Sequence, residues 1–303
     1  MPTRPNPPAL RALASPYALL TYAALLWAIN WVLARGMREA SGPFAMAFGR
    51  WLVAMLVIWP FAWRHLARDW PQIRARRGVL VLLGLTGAGG YNALSYVGVA
   101  HTTALNAMLL NAIVPFFIMA LAWLLLRESL RATQVAGLCV SLAGACWIIA
   151  AGDPARLLAL SFNPGDLIVV TAMLSWAVYT VIIRKYPLAI HVTSFVAVLS
   201  VIAVLSLLPF ALWEAASRPP ILSAAVLAGY VYLGLGPSLL CYLFWNAGVA
   251  ALGAHRTGMF LYLVPVFGSV LSALVLGENP EMFHAVGFML VLIGLGLSNL
   301  QRR

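Results

Sequence analysis

Ten apolar runs leave this chain almost no choice of solvent. They fall at about 17–34, 44–63, 78–99, 104–126, 132–150, 165–184, 192–213, 222–246, 256–276 and 282–300, separated by charge clusters and Pro or Gly breaks. A membrane-crossing helix uses about 20 mostly apolar residues, so ten of them consume about 200 of the 303. The remainder suffices for nine loops and two ends, not for a folded soluble domain. A tethered catalytic head, a receptor ectodomain and a soluble multidomain protein are all disfavoured. The predicted fold is all-α, with ten transmembrane helices. The Pro-rich, basic stretch Met1–Ser15 is followed by no small-residue cleavage signature, so Tyr17–Ala34 is read as a retained span.

The charges locate the loops. Only 9% of the residues are charged, yet the net charge is +11, and 18 of the 19 basic residues are Arg, with Lys185 the exception. Placing the N-terminus inside puts fourteen basic residues on inner segments: Arg4, Arg11, Arg64, Arg68, Arg74, Arg76, Arg77, Arg127, Arg131, Arg184, Lys185, Arg256, Arg302 and Arg303. The outer segments hold four: Arg35, Arg38, Arg156 and Arg218. Basic loops stay in the cytoplasm, so both termini are expected there. The basic excess is therefore an orientation signal, and nucleic acid is not an expected partner. Cys139, Cys146 and Cys241 lie inside apolar runs without metal-ligand spacing, so no metal site or cofactor is indicated.

The chain also repeats itself. Shifted by 150 residues, Leu83–Gly144 aligns with Leu233–Gly294 without a gap, and 17 of the 62 pairs are identical. The matches include Val114-Pro115 with Val264-Pro265, Glu128 with Glu278, and Gly137 with Gly287. At a shift of 149, Trp27 meets Trp176 and Pro60-Phe61 meets Pro209-Phe210. Five spans per copy is an odd number, so the second copy, 165–300, should lie upside down relative to the first, 16–150. Inverted repeats of this kind characterise secondary transporters, where two similar halves exchange conformations to open a central site to either side.

Residues 100–148, with the run LLNAIVPFFIMALAWLLLRESLRATQVAGLCVSLAGA and its second copy YLVPVFGSVLSALVLGENPEMFHAVGFMLVLIGLG, resemble the drug/metabolite transporter superfamily in its ten-helix form with two EamA domains. An apolar helix with a central Pro, a Glu at its end and a Gly-containing helix after it is that domain's pattern. Within the superfamily the chain is most similar to YddG-type exporters of aromatic and other amino acids. That resemblance implies a multi-pass protein of the bacterial inner membrane that exports amino acids and has lipid as its other partner. Arg50 resembles an arginine common at that place in the family, whereas the second copy has Leu199 there.

Candidate cavity residues are polar or aromatic and recur every three or four positions, on one helix face. They are Trp27 and Asn30 in span 1; Tyr91, Asn92 and Ser95, with Tyr96, in span 3; Trp176 and Tyr179 in span 6; Tyr242 and Asn246 in span 8; and Tyr262 in span 9. Such residues also serve as interhelical glue or interfacial belt, the role assigned to Trp31, Tyr17 and Tyr230. Pro115, Pro237 and Pro265 each deprive a carbonyl of its helical donor and are either static kinks or hinges. No span has a carboxylate at its middle, which argues against a carboxylate relay. Arg50 either snorkels outward or faces the vestibule. The expectation is an alternating-access amino acid exporter with a largely uncharged cavity, aromatic rings facing the ammonium and Asn or Ser binding the carboxylate. A carrier of other metabolites or drugs is the same-class alternative. An intramembrane enzyme would need a nucleophile/base set or metal ligands within the spans, and no catalytic residues are found; a channel or scaffold is the remaining alternative.

Overall fold

The computed structural model describes residues 15–102, 110–160, 163–276 and 281–299. Its described residues are helical and turn segments with no strand. In chain order they form α1 (Pro16–Met37), α2 (Pro43–Ala75), α3 (Arg77–Ala100), α4 (Val114–Leu126), α5 (Ala132–Ile149), α6 (Pro164–Lys185), α7 (Val192–Ser217) and α8 (Ala224–Leu252). Helix α9 follows over 254–276, in three pieces, and α10 is Met282–Asn299. Seven of these, α1 to α3 and α5 to α8, are long and apolar enough to cross a membrane. Helices α4 and α10 are apolar but shorter, and the regular part of α9 is Leu263–Leu276.

Local chemistry sets the helix ends. Ser15 Oγ accepts from Ala18 N at 3.3 Å, and Asn163 and Asp166 form a reciprocal capping box at the start of α6. Proline occupies the first turn of α1, α2 and α6, where its missing N–H costs nothing. Gly253, at φ +88°, lets α8 turn directly into α9, a backbone region that side chains with a Cβ disfavour. The outer faces carry large exposed apolar residues, among them Leu56, Trp59 and Phe61 of α2 and Leu205, Leu212 and Trp213 of α7. In water such a surface would aggregate; against lipid it is the expected one.

Two helix pairs show how the halves fit together. Helices α5 and α10 touch backbone to backbone: a Cβ at Gly137 would strike the Gly294 carbonyl, and one at Gly144 the Gly287 carbonyl. These two contacts interchange under the 150-residue shift, so this pair straddles a local two-fold relation. Helices α2 and α7 pack against each other and cap one another reciprocally. Near the end of α2, buried Asp69 takes the backbone N–H of His191, the N-cap of α7, at 2.7 Å. Near the end of α7, buried Glu214 takes the backbone N–H of Ala45, in the first turn of α2, at 2.8 Å. Each acid thus satisfies an orphan donor of the opposite half, one at each face of the bundle. Arg218 reinforces the second, donating to the carbonyls of Arg38 and Glu39 at 2.8 and 3.2 Å.

Pro115 and Pro265 each stand just after an irregularity in their span. Pro115 lies in the first turn of α4, just after a break at Ala112–Ile113. Pro265 lies in the first turn of Leu263–Leu276, just after a 3-10 turn over Met259–Tyr262. Proline removes a backbone donor and crowds the preceding turn, which accounts for the irregular backbone here, although Pro60, Pro71 and Pro209 lie within continuous helix.

Removing either cross-cap should expose a buried N–H. Asp69→Ala and Glu214→Ala are each expected to cost about 1–2 kcal/mol, read as a lowered thermal midpoint in detergent, with the double variant additive because the sites lie at opposite faces. The His191 cap should also respond to pH. Its Nδ1 accepts from Thr193 N at 3.3 Å, so protonation removes the acceptor, and its ring stacks on His65 with centroids 3.7 Å apart. Burial, then the neighbouring His65, lower the His191 pKa from 6.5, with Arg68 adding and Asp69 opposing. Its contribution is full above 6.5 and declines as acidification carries the pH down to the lowered value. Thermal midpoints from pH 8 to pH 5 should fall for the wild type and fall less for His191→Asn, whose side chain still caps.

Candidate functional site

A cavity opens among α1, α2, α3, α6, α8, α9 and the residues just before α4. Its room for water-sized groups is about 30 Å³, and its wall contains Trp27, Asn30, Arg50, Tyr91, Asn92, Ser95, Trp176 and Tyr242. Tyr96, Trp31, Asn111, Leu261 and Val264 complete it. Seven of the ten residues proposed from sequence therefore line one space. Tyr179, Asn246 and Tyr262 do not. Tyr179 donates to Asn246 Oδ1 at 2.7 Å behind the wall, and Tyr262 is buried in the core. Trp31, assigned to the interface on sequence, is a wall residue instead; Tyr230 is interhelical glue, bonded to Ser41 at 2.6 Å.

One wall is aromatic and centres on Trp176. Its ring meets Trp27 edge-on at 5.6 Å, Tyr91 at 4.9 Å, Tyr179 at 5.1 Å, Tyr242 edge-on at 5.4 Å and Trp245 at 5.4 Å. These are favourable tilted and T-shaped geometries, so the rings brace one another. Trp245 Nε1 donates to Thr180 Oγ1 at 3.2 Å, closing the layer beneath. The Trp176 Nε1–H, by contrast, is buried with no hydrogen-bond partner among the described residues. An unmade bond of that kind costs about 1–3 kcal/mol.

The other wall holds the cavity's cation. Arg50 is 3% exposed, so it does not snorkel to the membrane surface. Its Nε donates to Ser238 Oγ at 2.7 Å, and its Nη1 donates to Tyr96 OH at 2.8 Å and Asn30 Oδ1 at 3.2 Å. All three acceptors are neutral. Among the described residues no carboxylate pairs with Arg50, and Nη2 carries no hydrogen bond. Of the two places open to Arg50, it takes the one facing the cavity, and among the described lining residues it is the one charge in an otherwise neutral wall. The sequence carried the signal, because Arg50 shares the helical stripe Ala47, Trp51, Ala54, Ile58 and Ala62, all buried, while Leu56, Trp59 and Phe61 face out. A small-residue stripe marks a protein-facing side, and Arg50 lies on it.

The helices that supply these groups are themselves irregular. Helix α3 is π-helical over Gly84–Gly89, and α8 over Gly234–Leu240, positions that coincide under the 150-residue shift at their starts. Pro237 falls inside the second. Single π-turns concentrate at functional sites. Here Asn92 Nδ2 donates to the Ala88 carbonyl at 2.7 Å, Ser175 Oγ donates to that of Thr86 at 2.7 Å, and Tyr242 OH donates to that of Gly87.

The sequence matches the EamA-like transporter family twice, over residues 14–150 and 163–300. The chain belongs to that family. Among its relatives is an uncharacterized transporter of Bacillus subtilis, YyaM, 30% identical over 263 residues that cover 86% of this chain and 84% of the relative. An uncharacterized transporter of Archaeoglobus fulgidus is 27% identical over 285 residues, 93% of this chain and 96% of its own. A probable terminal-alkyne amino-acid exporter of Streptantibioticus cattleyicolor is 32% identical over 240 residues, 78% of this chain and 75% of its own. A solved crystal structure superposes with a TM-score of 0.76 at 22% identity, covering 94% of this chain and 96% of that one, and supports the fold. The protein is therefore an EamA-family membrane transporter, not an enzyme.

Proposed function

We propose that this EamA-family transporter exports amino acids, aromatic and other neutral ones, across the bacterial inner membrane. It does so by alternating access between two inverted repeats, 16–150 and 165–300, with both termini in the cytoplasm. The observation that carries this reading is the Arg50 guanidinium, buried, facing a cavity and opposed by no carboxylate among the described residues. Leaving a charge so placed is costly, and a substrate carboxylate compensates it through Nη2. The rings of Trp27, Tyr91 and Trp176 then face the ammonium or stack on the substrate side chain, while Asn30, Asn92, Ser95 and Tyr242 offer polar contacts at the same wall. The amino-acid exporter among the relatives supports the same substrate class.

The charge balance sets selectivity. A zwitterion brings one negative group to one positive group, whereas a basic amino acid adds a cation that no wall residue neutralises. Because no carboxylate among the described residues lines the cavity, exchange needs no proton relay from them. Proteoliposomes preloaded with a neutral amino acid should accumulate labelled substrate by counterflow without a pH gradient, with neutral amino acids preferred over lysine by about tenfold or more. Arg50→Gln should raise the half-saturating concentration by about tenfold or more, the worth of a charge-assisted hydrogen bond. Flux of drugs or other metabolites without amino acid flux would replace the substrate class; strict dependence on a proton gradient would overturn relay-free exchange.

A further inference from the structure

Helix α8 cannot make a normal turn at Pro237, and the way the chain repairs it leads into the cavity. A proline at 237 has no N–H for the carbonyl four residues back, that of Leu233, the last residue before the π-helical segment. In the π-helical register, where each N–H pairs five residues back, that carbonyl falls to the backbone N–H of Ser238, and Ser238 Oγ donates to the same carbonyl at 2.8 Å. A serine hydroxyl has one proton and two lone pairs, and with its proton committed to Leu233 it accepts from Arg50 Nε at 2.7 Å. The result is a directed chain from Arg50 in the first half, through Ser238, to the π-helical backbone of the second. Ser238 is fully buried, so water does not substitute in it. The backbones are close as well: a Cβ at Gly234 would strike Val53 and the Arg50 carbonyl.

We propose that Ser238 is the positioning residue that couples cavity occupancy to the π-helical segment of α8. Its link to a bound carboxylate rests on the role given to Arg50 above; its link to helix geometry does not. With the cavity empty, the Arg50 charge is balanced only by dipoles, and the Ser238 oxygen is the one its Nε uses. A carboxylate at Nη2 competes for that charge and weakens the pull on Ser238. The hydroxyl that holds the Leu233 carbonyl is thereby released to favour a different turn. A ligand shifts a conformational equilibrium only through differential interaction with the two states, and this bond supplies the difference. The matching π-segment of α3 is held by side chains too, two of which, Asn92 and Tyr242, line the cavity.

The proposal is tested first without any ligand. Backbone hydrogen exchange is followed in the full-length protein in detergent, in a peptide covering residues 230–245. Ser238→Ala and Arg50→Lys, which moves the charge off the Nε position, are each expected to speed exchange there by about fivefold or more. The double variant should exchange no faster than the faster single one, since both break the same chain. Ser238→Thr, which keeps the hydroxyl, should restore the wild-type rate. Unchanged exchange in Arg50→Lys, or additive effects in the double variant, would overturn the link between the two residues. The second arm uses tryptophan as the probe and compares equilibrium binding with counterflow. Ser238→Ala is expected to bind within about threefold of wild type yet exchange about tenfold more slowly, with Ser238→Thr restoring the rate. Equal losses of binding and rate would reduce Ser238 to a structural role. If tryptophan and other amino acids bind to neither protein, the substrate reading fails while the ligand-free arm still decides the coupling.

Discussion

Hydrocarbon offers no hydrogen bonds, so every backbone N–H and C=O within the bundle must find its partner in the protein. Much of this structure follows from that constraint. Regular helix satisfies it by itself, and most of the chain is regular helix. Departures are met by shifted backbone bonds and, at several places, by added side-chain bonds, and those additions are where the molecule becomes specific. At the two faces, Asp69 and Glu214 supply acceptors to helix starts in the opposite half. At mid-bundle, Ser238, Asn92, Ser175 and Tyr242 supply donors to carbonyls around two π-helical segments. Three of these last four either line the cavity or hold the arginine that does. The groups that make irregular backbone tolerable are largely the groups a ligand would meet.

The electrostatic consequence is the second organising feature. A buried guanidinium braced by neutral oxygens is incompletely balanced, since dipoles offset a full charge less well than an anion does. Opposite it stands a layer of rings that have little freedom to move, because Trp176 is wedged among Trp27, Tyr91, Tyr179, Tyr242 and Trp245. The cavity thus has a charged end and an apolar, polarisable end. A zwitterion with a planar side chain is complementary to both. The second repeat has Leu199 where the first has Arg50, so the charged end belongs to one half alone and the substrate would be held in one orientation.

Much of this was legible in the sequence. Ten apolar runs give the helices because hydrophobic length is a local property, and the 150-residue repeat foretold that the Gly and Pro irregularities would come in pairs. Trp27, Asn30, Tyr91, Asn92, Ser95, Trp176 and Tyr242 were drawn to one space by three-and-four spacing alone. What failed needed knowledge of neighbours. Tyr179 and Asn246 satisfy the same pattern, yet the Tyr179 hydroxyl is spent on Asn246 Oδ1. Tyr262 is the last residue of a 3-10 turn and is buried in the core. Ser238 carried no periodic signal, because its importance comes from the proline beside it and from an arginine 188 positions away. The direction of Arg50 was recoverable from the alanine stripe of α2, which says which face packs on protein.

The central claim is that Arg50 receives a substrate carboxylate. The most direct measurement compares equilibrium binding of tryptophan with that of tryptamine, identical except for the missing carboxylate, in the wild type and in Arg50→Gln. The account predicts that wild type prefers tryptophan by about tenfold or more and that the preference vanishes in the variant. Equal binding of the two ligands by the wild-type protein would contradict it.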